Sequence, residues 1–230
     1  MKLSVWRLIS RHAWIAFSLP LIWASVGQPV KMSAKSIKVK VRPAISVGVV
    51  NYAHIGRLEL REAEGQAAAI FAEAGVKIEW TDYLQKRPPD RPQADGRCCD
   101  LFVRILPASM AIQRNSAATA LGESVTASPS EASEPGGVAS VFFDRADDVS
   151  WRQGPFTGQV LGNGMTHEIG HLLLGPGHSP QGIMKALLTS RDLQLASRGQ
   201  LLFSPRQSTL LQRAAQALQR RHRVRLALGR

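Results

Sequence analysis

The chain has 230 residues, a formal net charge of +12 and 44% hydrophobic residues, so it is long enough to bury a core and favours one domain. Its two cysteines are neighbours, Cys98 and Cys99, which excludes a framework of intrachain disulfides, because adjacent cysteines rarely satisfy disulfide geometry. Nothing around the pair matches a zinc–cysteine spacing. Burial of apolar side chains must therefore stabilise the fold.

The first residues are typical of an export signal. Basic residues precede an apolar run over 13–24, and small residues follow it. We therefore predict a signal peptide over 1–27 and a loose lead-in over 28–36, which makes the protein periplasmic or secreted if it is bacterial. The alternative is an uncleaved N-terminal membrane anchor, although the apolar run is short for a membrane span and contains Pro20.

Alternation of apolar and polar residues predicts the first strands. Valine and isoleucine alternate with basic residues over 37–41, and 45–52 is typical of a second, more buried strand. A helix is predicted over 57–74, because apolar residues recur there at helical spacing and Gly75 follows as a C-terminal cap. Renewed alternation over 76–80 indicates another strand.

Strands and loops alternate in the middle of the chain. A stretch rich in proline and charge over 85–97 predicts a surface loop. Strands are predicted over 101–106 and 138–144, with a short edge segment at 120–122. The low-complexity stretch 124–137 predicts another loop.

Two helices complete the predicted domain. Apolar spacing indicates one over 159–174, and the last begins after Ser204, which forms a capping box with Gln207 three residues on. The buried stripe predicted for this last helix is Leu210, Ala214 and Leu218. The order of elements predicts one α/β domain over 37–218 with a small mixed sheet.

The predicted helix ends in a stretch rich in metal-binding residue types, MTHEIGHLLLGPGHSPQGIM, residues 165–184. His167 and His171 are spaced i and i+4, so both imidazoles lie on one side of the helix and can bind one Zn²⁺ at about 2.0–2.1 Å. Glu168 lies about 100° away, at the edge of this face, where it can reach a metal-bound water as a general base. The opposite face is apolar and predicted to be buried: Met165, Ile169, Leu172 and Leu173.

A glycine-rich turn follows this helix. Gly175 and Gly177 allow the chain to reverse, so that His178 can return as a third zinc ligand. Three neutral imidazoles leave one position open for water, as a catalytic zinc site requires. Asp192 is the alternative third ligand, because it is the one acid that follows Glu168 in the chain, which also excludes a downstream glutamate.

These residues together resemble the metzincin clan of zinc peptidases, whose pattern is H-E-x-x-H-x-x-G-x-x-H followed by a methionine turn. The matching positions, in order, are His167, Glu168, His171, Gly175, His178 and Met184. The chain is also similar to uncharacterised bacterial exported proteins with an HEIGHLLLG signature. The turn departs from the clan's pattern, since the glycine comes one place late and His178 follows His171 by seven residues rather than six.

The resemblance implies a mixed sheet above the motif helix, a methionine turn at Met184 beneath the metal, and a C-terminal helix. It also implies a zinc metallopeptidase that hydrolyses peptide bonds through a zinc-bound water, with Glu168 as general base. The clan binds substrate in a cleft along an edge strand, for which chain order suggests 138–144 by strand addition. The tyrosine that helps some members stabilise the oxyanion is replaced here by Ala186.

Two other functions remain open from the sequence. One is a non-catalytic, zinc-containing exported protein that binds through its basic surface, and the other is a zinc hydrolase of a non-peptide amide. From Lys185 onward the chain has ten Lys or Arg and one acid. The basic tail 219–230 could bind an anionic surface, but a solvated face is the favoured interpretation. No aromatic residues interleave with its arginines, so no specific nucleic-acid partner is expected.

Overall fold

The computed structural model describes four stretches of the chain: 42–82, 99–113, 120–125 and 137–227. All of them belong to one unit, Lys40–Arg230. Several sequence predictions lie outside the described residues: the signal peptide 1–27, the lead-in 28–36, the strand over 37–41 and the loop over 85–97. Within the described stretches, no helix combines the length and the apolar character needed to cross a membrane.

The described residues form five strands and six helices, which confirms the predicted α/β class. The strands are β1 (Ala44–Asn51), β2 (Lys77–Asp82), β3 (Leu101–Leu106), β4 (Gly122–Val125) and β5 (Val138–Phe142). The helices are α1 (Arg57–Glu73), α2 (Ala108–Gln113), α3 (Phe143–Gln153), α4 (Thr157–Leu174), α5 (Ser190–Ser197) and α6 (Pro205–Ala227).

The strands form one mixed sheet in the order β2-β1-β3-β5-β4. Strand β1 pairs in parallel with β2 and β3, and β3 pairs in parallel with β5. Strand β4 pairs antiparallel with β5 and lies at one edge of the sheet. The prediction that 138–144 binds a peptide by strand addition is wrong, because β5 already pairs with a strand on each side. The edge strand next to it is β4.

Local pattern accounts for the first half of the sheet and for α1. The predicted bounds of β1, α1, β2 and β3 are each within two residues of the observed ones. Gly75 has a φ of +79° directly after α1, the left-handed conformation that a glycine cap supplies. Long-range packing was not needed to place these elements, because their apolar periodicity is strong.

Three short helices were not predicted from the sequence. Helices α2 and α5 have only six and eight residues, fewer than the window in which helical periodicity becomes visible. Helix α3 begins at Phe143, so the strand predicted over 138–144 ends earlier, at Phe142. Its apolar residues Phe143, Ala146 and Val149 recur at helical spacing, but β5 runs directly into Phe143, so the predicted strand was extended over the start of the helix.

Two boundaries and one buried face also differ from prediction. Strand β4 spans Gly122–Val125 rather than 120–122, so the start of the predicted 124–137 loop belongs to the sheet. Along α6, Leu210 is 41% exposed, whereas the fully buried residues are Leu211 and Ala215. The first two residues of the predicted stripe, Leu210 and Ala214, are thus each one position before the residue that is buried. Alanine and glutamine occur on both sides of the helix, so the sequence did not distinguish the two faces.

The start of α6 agrees with prediction. The Ser204 N–H donates to Gln207 Oε1 at 2.9 Å, and the Gln207 N–H donates to Ser204 Oγ at 3.3 Å. This is the predicted capping box, which satisfies two backbone donors that a helix start leaves unpaired. The basic tail 219–230 begins inside this helix, which continues to Ala227.

Helix α4 lies at the centre of the packing and carries the motif. It contacts α1, α3 and α6 as well as strands β4 and β5. Met165 and Ile169 are fully buried, as predicted, and Leu172 and Leu173 are partly buried. Contacts on several sides hold α4 in one position, so side chains on its remaining face are presented in a defined geometry.

Candidate metal centre

Helix α4 and the turn after it bring the three predicted histidines together. One ring nitrogen from each of His167, His171 and His178 lies within 4.8 Å of the other two. The ring centroid of His178 is 5.3 Å from that of His167 and 4.9 Å from that of His171. Gly175 and Gly177 have φ values of +90° and +143°, which residues other than glycine rarely adopt. The longer turn therefore still returns His178 to the helix.

Backbone carbonyls orient the two helical imidazoles. The Nδ1 of His167 lies 2.8 Å from the Ile183 carbonyl oxygen, and the Nδ1 of His171 lies 3.3 Å from the Gly175 carbonyl oxygen. A carbonyl can only accept, so in each neutral ring the proton lies on Nδ1 and the Nε2 lone pair is free. This is the arrangement that prepares an imidazole for metal ligation through Nε2.

The two Nε2 atoms of His167 and His171 face each other at 3.0 Å. Two lone pairs at that distance repel, and the repulsion is relieved when a cation or a proton lies between them. Burial lowers the pKa of His167 to about 4, the Ile183 contact opposes the shift and the neighbouring imidazoles add to it. Burial, with a contribution from His178, also lowers the pKa of His171. Protons are therefore disfavoured at neutral pH, and the donor set fits a divalent metal, whose tetrahedral nitrogen ligands lie about 3.3 Å apart for zinc.

The predicted methionine lies in a turn packed against α4. Met184 is buried, and the turn around it is closed by a hydrogen bond from the Lys185 N–H to the Gly182 carbonyl at 3.3 Å. A Cβ atom at Gly170 would lie 2.5 Å from Met184 Sδ, so this close packing needs a glycine in the helix. Because Ile183, in the same turn, contacts the His167 ring, packing of the turn and orientation of the imidazole are coupled.

Glu168 lies beside the histidines under the edge strand. It is only 6% exposed, and a Cβ atom at Gly122 would lie 2.6 Å from its Cγ, so β4 passes directly over this side chain. Burial raises the pKa of Glu168 to about 7, while a hydrogen bond from the Ser124 side chain lowers it and the Glu123 charge raises it. A carboxyl group with a pKa near neutrality can both accept and donate a proton at neutral pH.

A cavity of about 610 Å³ opens onto these groups. The three histidines and Glu168 line it together with β4 and the segment 185–188. Much of the remaining wall is apolar: Leu121, Val149, Ile183, Leu187, Leu188 and Leu193. The edge strand and the histidines therefore share one cleft, large enough for part of an extended ligand.

Asp192, the alternative third ligand, occupies a different place. It is buried at the start of α5, where its Oδ2 accepts hydrogen bonds from the Thr189 N–H at 2.8 Å and the Thr189 hydroxyl at 2.6 Å. Lys185 also donates to the same carboxylate oxygen. The group of metal-binding side chains in the described part of the chain contains the three histidines and not Asp192.

Sequence reasoning missed four polar residues of the cavity, Glu123, Ser124, Asn163 and Lys185. Ser124 contacts Glu168, but it was assigned to a loop, and no local signal places a loop residue over a helix. Asn163 also lines the cavity. It precedes His167 by four residues, so the spacing that paired the histidines could have identified it. Ala186, where some metzincins have tyrosine, lines the cavity as well.

Comparison with known proteins adds no functional assignment. No family model matches the chain, and no curated protein matches its sequence. A proposal of function therefore depends on the motif and on the geometry of the three imidazoles, Glu168 and the cavity.

Proposed function

We propose that the protein is a zinc-dependent metallopeptidase of the metzincin type, with His167, His171 and His178 as zinc ligands and Glu168 as general base. One observation carries the proposal. Three imidazoles converge, two of them with Nδ1 held by backbone carbonyls, beside a buried carboxyl group at the mouth of a cavity.

The number of ligands favours catalysis over a structural role. Structural zinc sites have four protein ligands, whereas catalytic sites have three and keep one position open. Three such side chains converge in the described part of the chain, and the cavity gives a ligand access to them. When bound, zinc supplies Lewis acidity that polarises a carbonyl oxygen and lowers the pKa of a coordinated water to about 7.

Glu168 is placed to move the proton that peptide hydrolysis requires. Its carboxylate accepts a proton from water as the hydroxyl oxygen adds to the scissile carbonyl carbon. The carboxyl group then donates that proton to the amide nitrogen as the C–N bond breaks and the amine leaves. Ser124 holds the carboxylate through a hydrogen bond, which keeps its oxygens directed within the cleft.

Strand β4 supports binding of an extended peptide. It is the edge strand on the side of the sheet next to α4, and Gly122–Val125 pairs on one side only among the described residues. A peptide can add to the other side through main-chain hydrogen bonds. Because β4 crosses over Glu168, a peptide aligned with it passes close to the general base.

The proposal is tested by replacing the general base while keeping the zinc ligands. We expect Glu168→Gln to lower kcat for a peptide-library substrate by about 10²–10⁴-fold, because general acid–base catalysis contributes on that order. Zinc content by mass spectrometry should remain one ion per chain. Glu73→Gln is the control, since it makes the same chemical change at an exposed position of α1. Full activity of Glu168→Gln, or a purified wild-type chain that binds no zinc, would contradict the proposal.

A further inference from the structure

Helix α6 has a packed side and an exposed side, and the exposed side takes no part in the site described above. The packed side is held in place by fully buried Leu211 and Ala215. The Gln212 Nε2 also donates to the Ala74 carbonyl oxygen at 2.9 Å. These contacts fix the rotation of the helix about its axis, so the opposite side is presented in a defined orientation.

Arginines recur along the exposed side. Arg206, Arg213 and Arg220 follow one another at intervals of seven residues, which keeps them within about 40° around the helix axis. Arg221 lies next to the last of them, and all four arginines are exposed. Two exposed apolar residues lie within the same arc of about 100°. We refer to this set as the basic face of α6: Arg206, Leu210, Arg213, Arg220, Arg221 and Val224.

The charges of the basic face are not neutralised by the chain itself. No acidic residue follows Asp192 in the sequence, so α6 has none. Within the part of the chain that the structure describes, none of the four guanidinium groups forms an ion pair. The row from Arg206 to Arg221 is about 22 Å long. It is therefore complementary to an extended anionic surface rather than to a single anion.

The apolar residues of the basic face indicate which anionic surface it fits. Leu210 is 41% exposed and Val224 is 57% exposed, and both lie among the arginines. Such side chains gain little against the phosphates of a nucleic acid, but they can enter the headgroup region of a bilayer. Helix α6 also has no aromatic residue on which single-stranded bases could stack. Clusters of about four to eight basic residues on a helix are typical of binding to anionic lipids.

We infer that the basic face of α6 binds the surface of a bilayer that contains anionic phospholipids. The guanidinium groups contact lipid phosphates, Leu210 and Val224 lie between headgroups, and the helix axis is parallel to the membrane plane. The sequence alone favoured a solvated tail over 219–230, because it shows neither that the face begins at Arg206 nor that packing fixes the rotation of α6. The inference does not depend on the proposed peptidase function, since neither zinc nor hydrolysis enters it.

The first test measures how strongly the full chain prefers an anionic bilayer. Sedimentation with vesicles gives its affinity for equal parts of phosphatidylglycerol and phosphatidylcholine and for phosphatidylcholine alone. The ratio of the two affinities reports the electrostatic contribution, because apolar contacts made elsewhere in the chain contribute to both. In the double variant Arg213→Gln, Arg220→Gln this ratio should fall about 25-fold, since each arginine near an anionic surface contributes about fivefold.

The matched control is the double variant Arg57→Gln, Arg61→Gln, which removes two charges from exposed positions of α1. Its net charge equals that of the α6 variant, and its affinity ratio should remain close to that of wild type. Glutamine and arginine have similar helix propensities, so both variants should fold. Equal affinities of wild type for the two kinds of vesicle, or an equal fall in both double variants, overturns the inference.

The second test distinguishes a bilayer from a nucleic acid. The double variant Leu210→Gln, Val224→Gln keeps every charge, so its affinity for a DNA duplex should equal that of wild type. Its affinity for the anionic vesicles should fall about tenfold, because two apolar side chains no longer enter the headgroup region. Unchanged affinity for the vesicles overturns the inference. Tighter binding of wild type to the duplex than to the vesicles, lost in Arg213→Gln, Arg220→Gln, would identify a nucleic acid as the partner and also overturn it.

Discussion

Two polar clusters lie within one short segment of the chain, and they differ in whether their polar atoms are paired. In the Asp192 cluster, formed by Lys185, Thr189 and Asp192, the carboxylate accepts hydrogen bonds from both partners. In the histidine cluster, formed by His167, His171 and His178, two Nε2 atoms face each other at 3.0 Å. A cluster whose members satisfy one another stabilises the fold, whereas a cluster of converging acceptors has the chemistry to bind a cation from outside the chain.

Electrostatics separates the two clusters in the same way. Burial alone would raise the pKa of Asp192, but hydrogen bonds from Lys185 and Thr189 lower it to about 2, so the charged carboxylate is favoured. In the histidine cluster burial is the largest cause and lowers the pKa of His167 to about 4. The neutral imidazole is therefore favoured, and neutral imidazole is the form that binds metals.

The largest expected effect is stabilisation by zinc, which tests whether the histidine cluster and not the Asp192 cluster binds the metal. On the proposed function zinc binds the folded chain alone, so at a free zinc concentration 1,000 times its Kd the free energy of unfolding should rise by about 4.1 kcal/mol. His171→Ala should lose most of this gain, and Asp192→Asn should keep it. Urea denaturation with and without zinc measures both. Equal zinc stabilisation of His171→Ala and wild type would show that the metal binds elsewhere.

Asp192→Asn should destabilise the metal-free chain by about 3 kcal/mol, because it leaves a partly buried lysine without its charged partner. The control is Asp148→Asn, which breaks an exposed ion pair with Arg152 and should cost no more than about 0.5 kcal/mol. Denaturant midpoints of the three proteins give the comparison. If both substitutions cost the same, the Asp192 cluster is not the structural element described above.

Acid should remove the contribution of the Asp192 charge to the free energy of unfolding. This tests whether the Asp192 cluster, unlike the histidine cluster, stabilises the fold by its charge. The pKa of Asp192 is about 2 in the folded chain and ordinarily 3.8, so its stabilisation is present above pH 3.8 and is lost as the pH falls toward 2. The difference in unfolding free energy between wild type and Asp192→Asn should shrink by about 2 kcal/mol over this range. A difference that is constant from pH 5 to pH 2 would contradict the assignment.

A last effect, of about the same size, concerns the packing that orients His167. Gly170→Ala should cost about 1–3 kcal/mol, because the new methyl group displaces Met184, whose sulfur lies 2.5 Å from the Cβ position. Zinc affinity should fall about 10–100-fold as the adjacent Ile183 carbonyl shifts. Gly65→Ala is the control in α1, where a Cβ atom meets nothing within 4 Å, and it should be stabilising. Unchanged zinc affinity in Gly170→Ala would show that packing of the Met184 turn does not orient the zinc ligands.

Much of the candidate site could be predicted because its parts are close in sequence. An i, i+4 spacing places His167 and His171 on one side of any helix, whatever surrounds it. Gly175 and Gly177 permit the turn that returns His178, and both have the positive φ values that glycine accommodates. The capping box at Ser204 has the same local character, since its partners are three residues apart.

Other parts could not be predicted locally. Peptide binding by an edge strand was predicted for 138–144 from chain order, but strand order depends on pairing between distant segments, and β4, not β5, forms that edge of the sheet. The missed helix α3 follows β5 without a break, so its first apolar residue, Phe143, was assigned to the strand. A carboxylate such as Asp192 can bind a metal, and the sequence did not reveal that this one already accepts hydrogen bonds from Lys185 and Thr189.

By itself, the sequence determined the α/β class, the motif helix and three histidines that can converge beside a glutamate, because spacing along a helix and glycine turns act over a few residues. The tertiary structure alone decided which strand covers Glu168, that Ser124 and Asn163 line the same cavity, and that Asp192 lies in a separate cluster. These are contacts between segments far apart in the chain, and local periodicity contains no information about which distant surface a residue will meet.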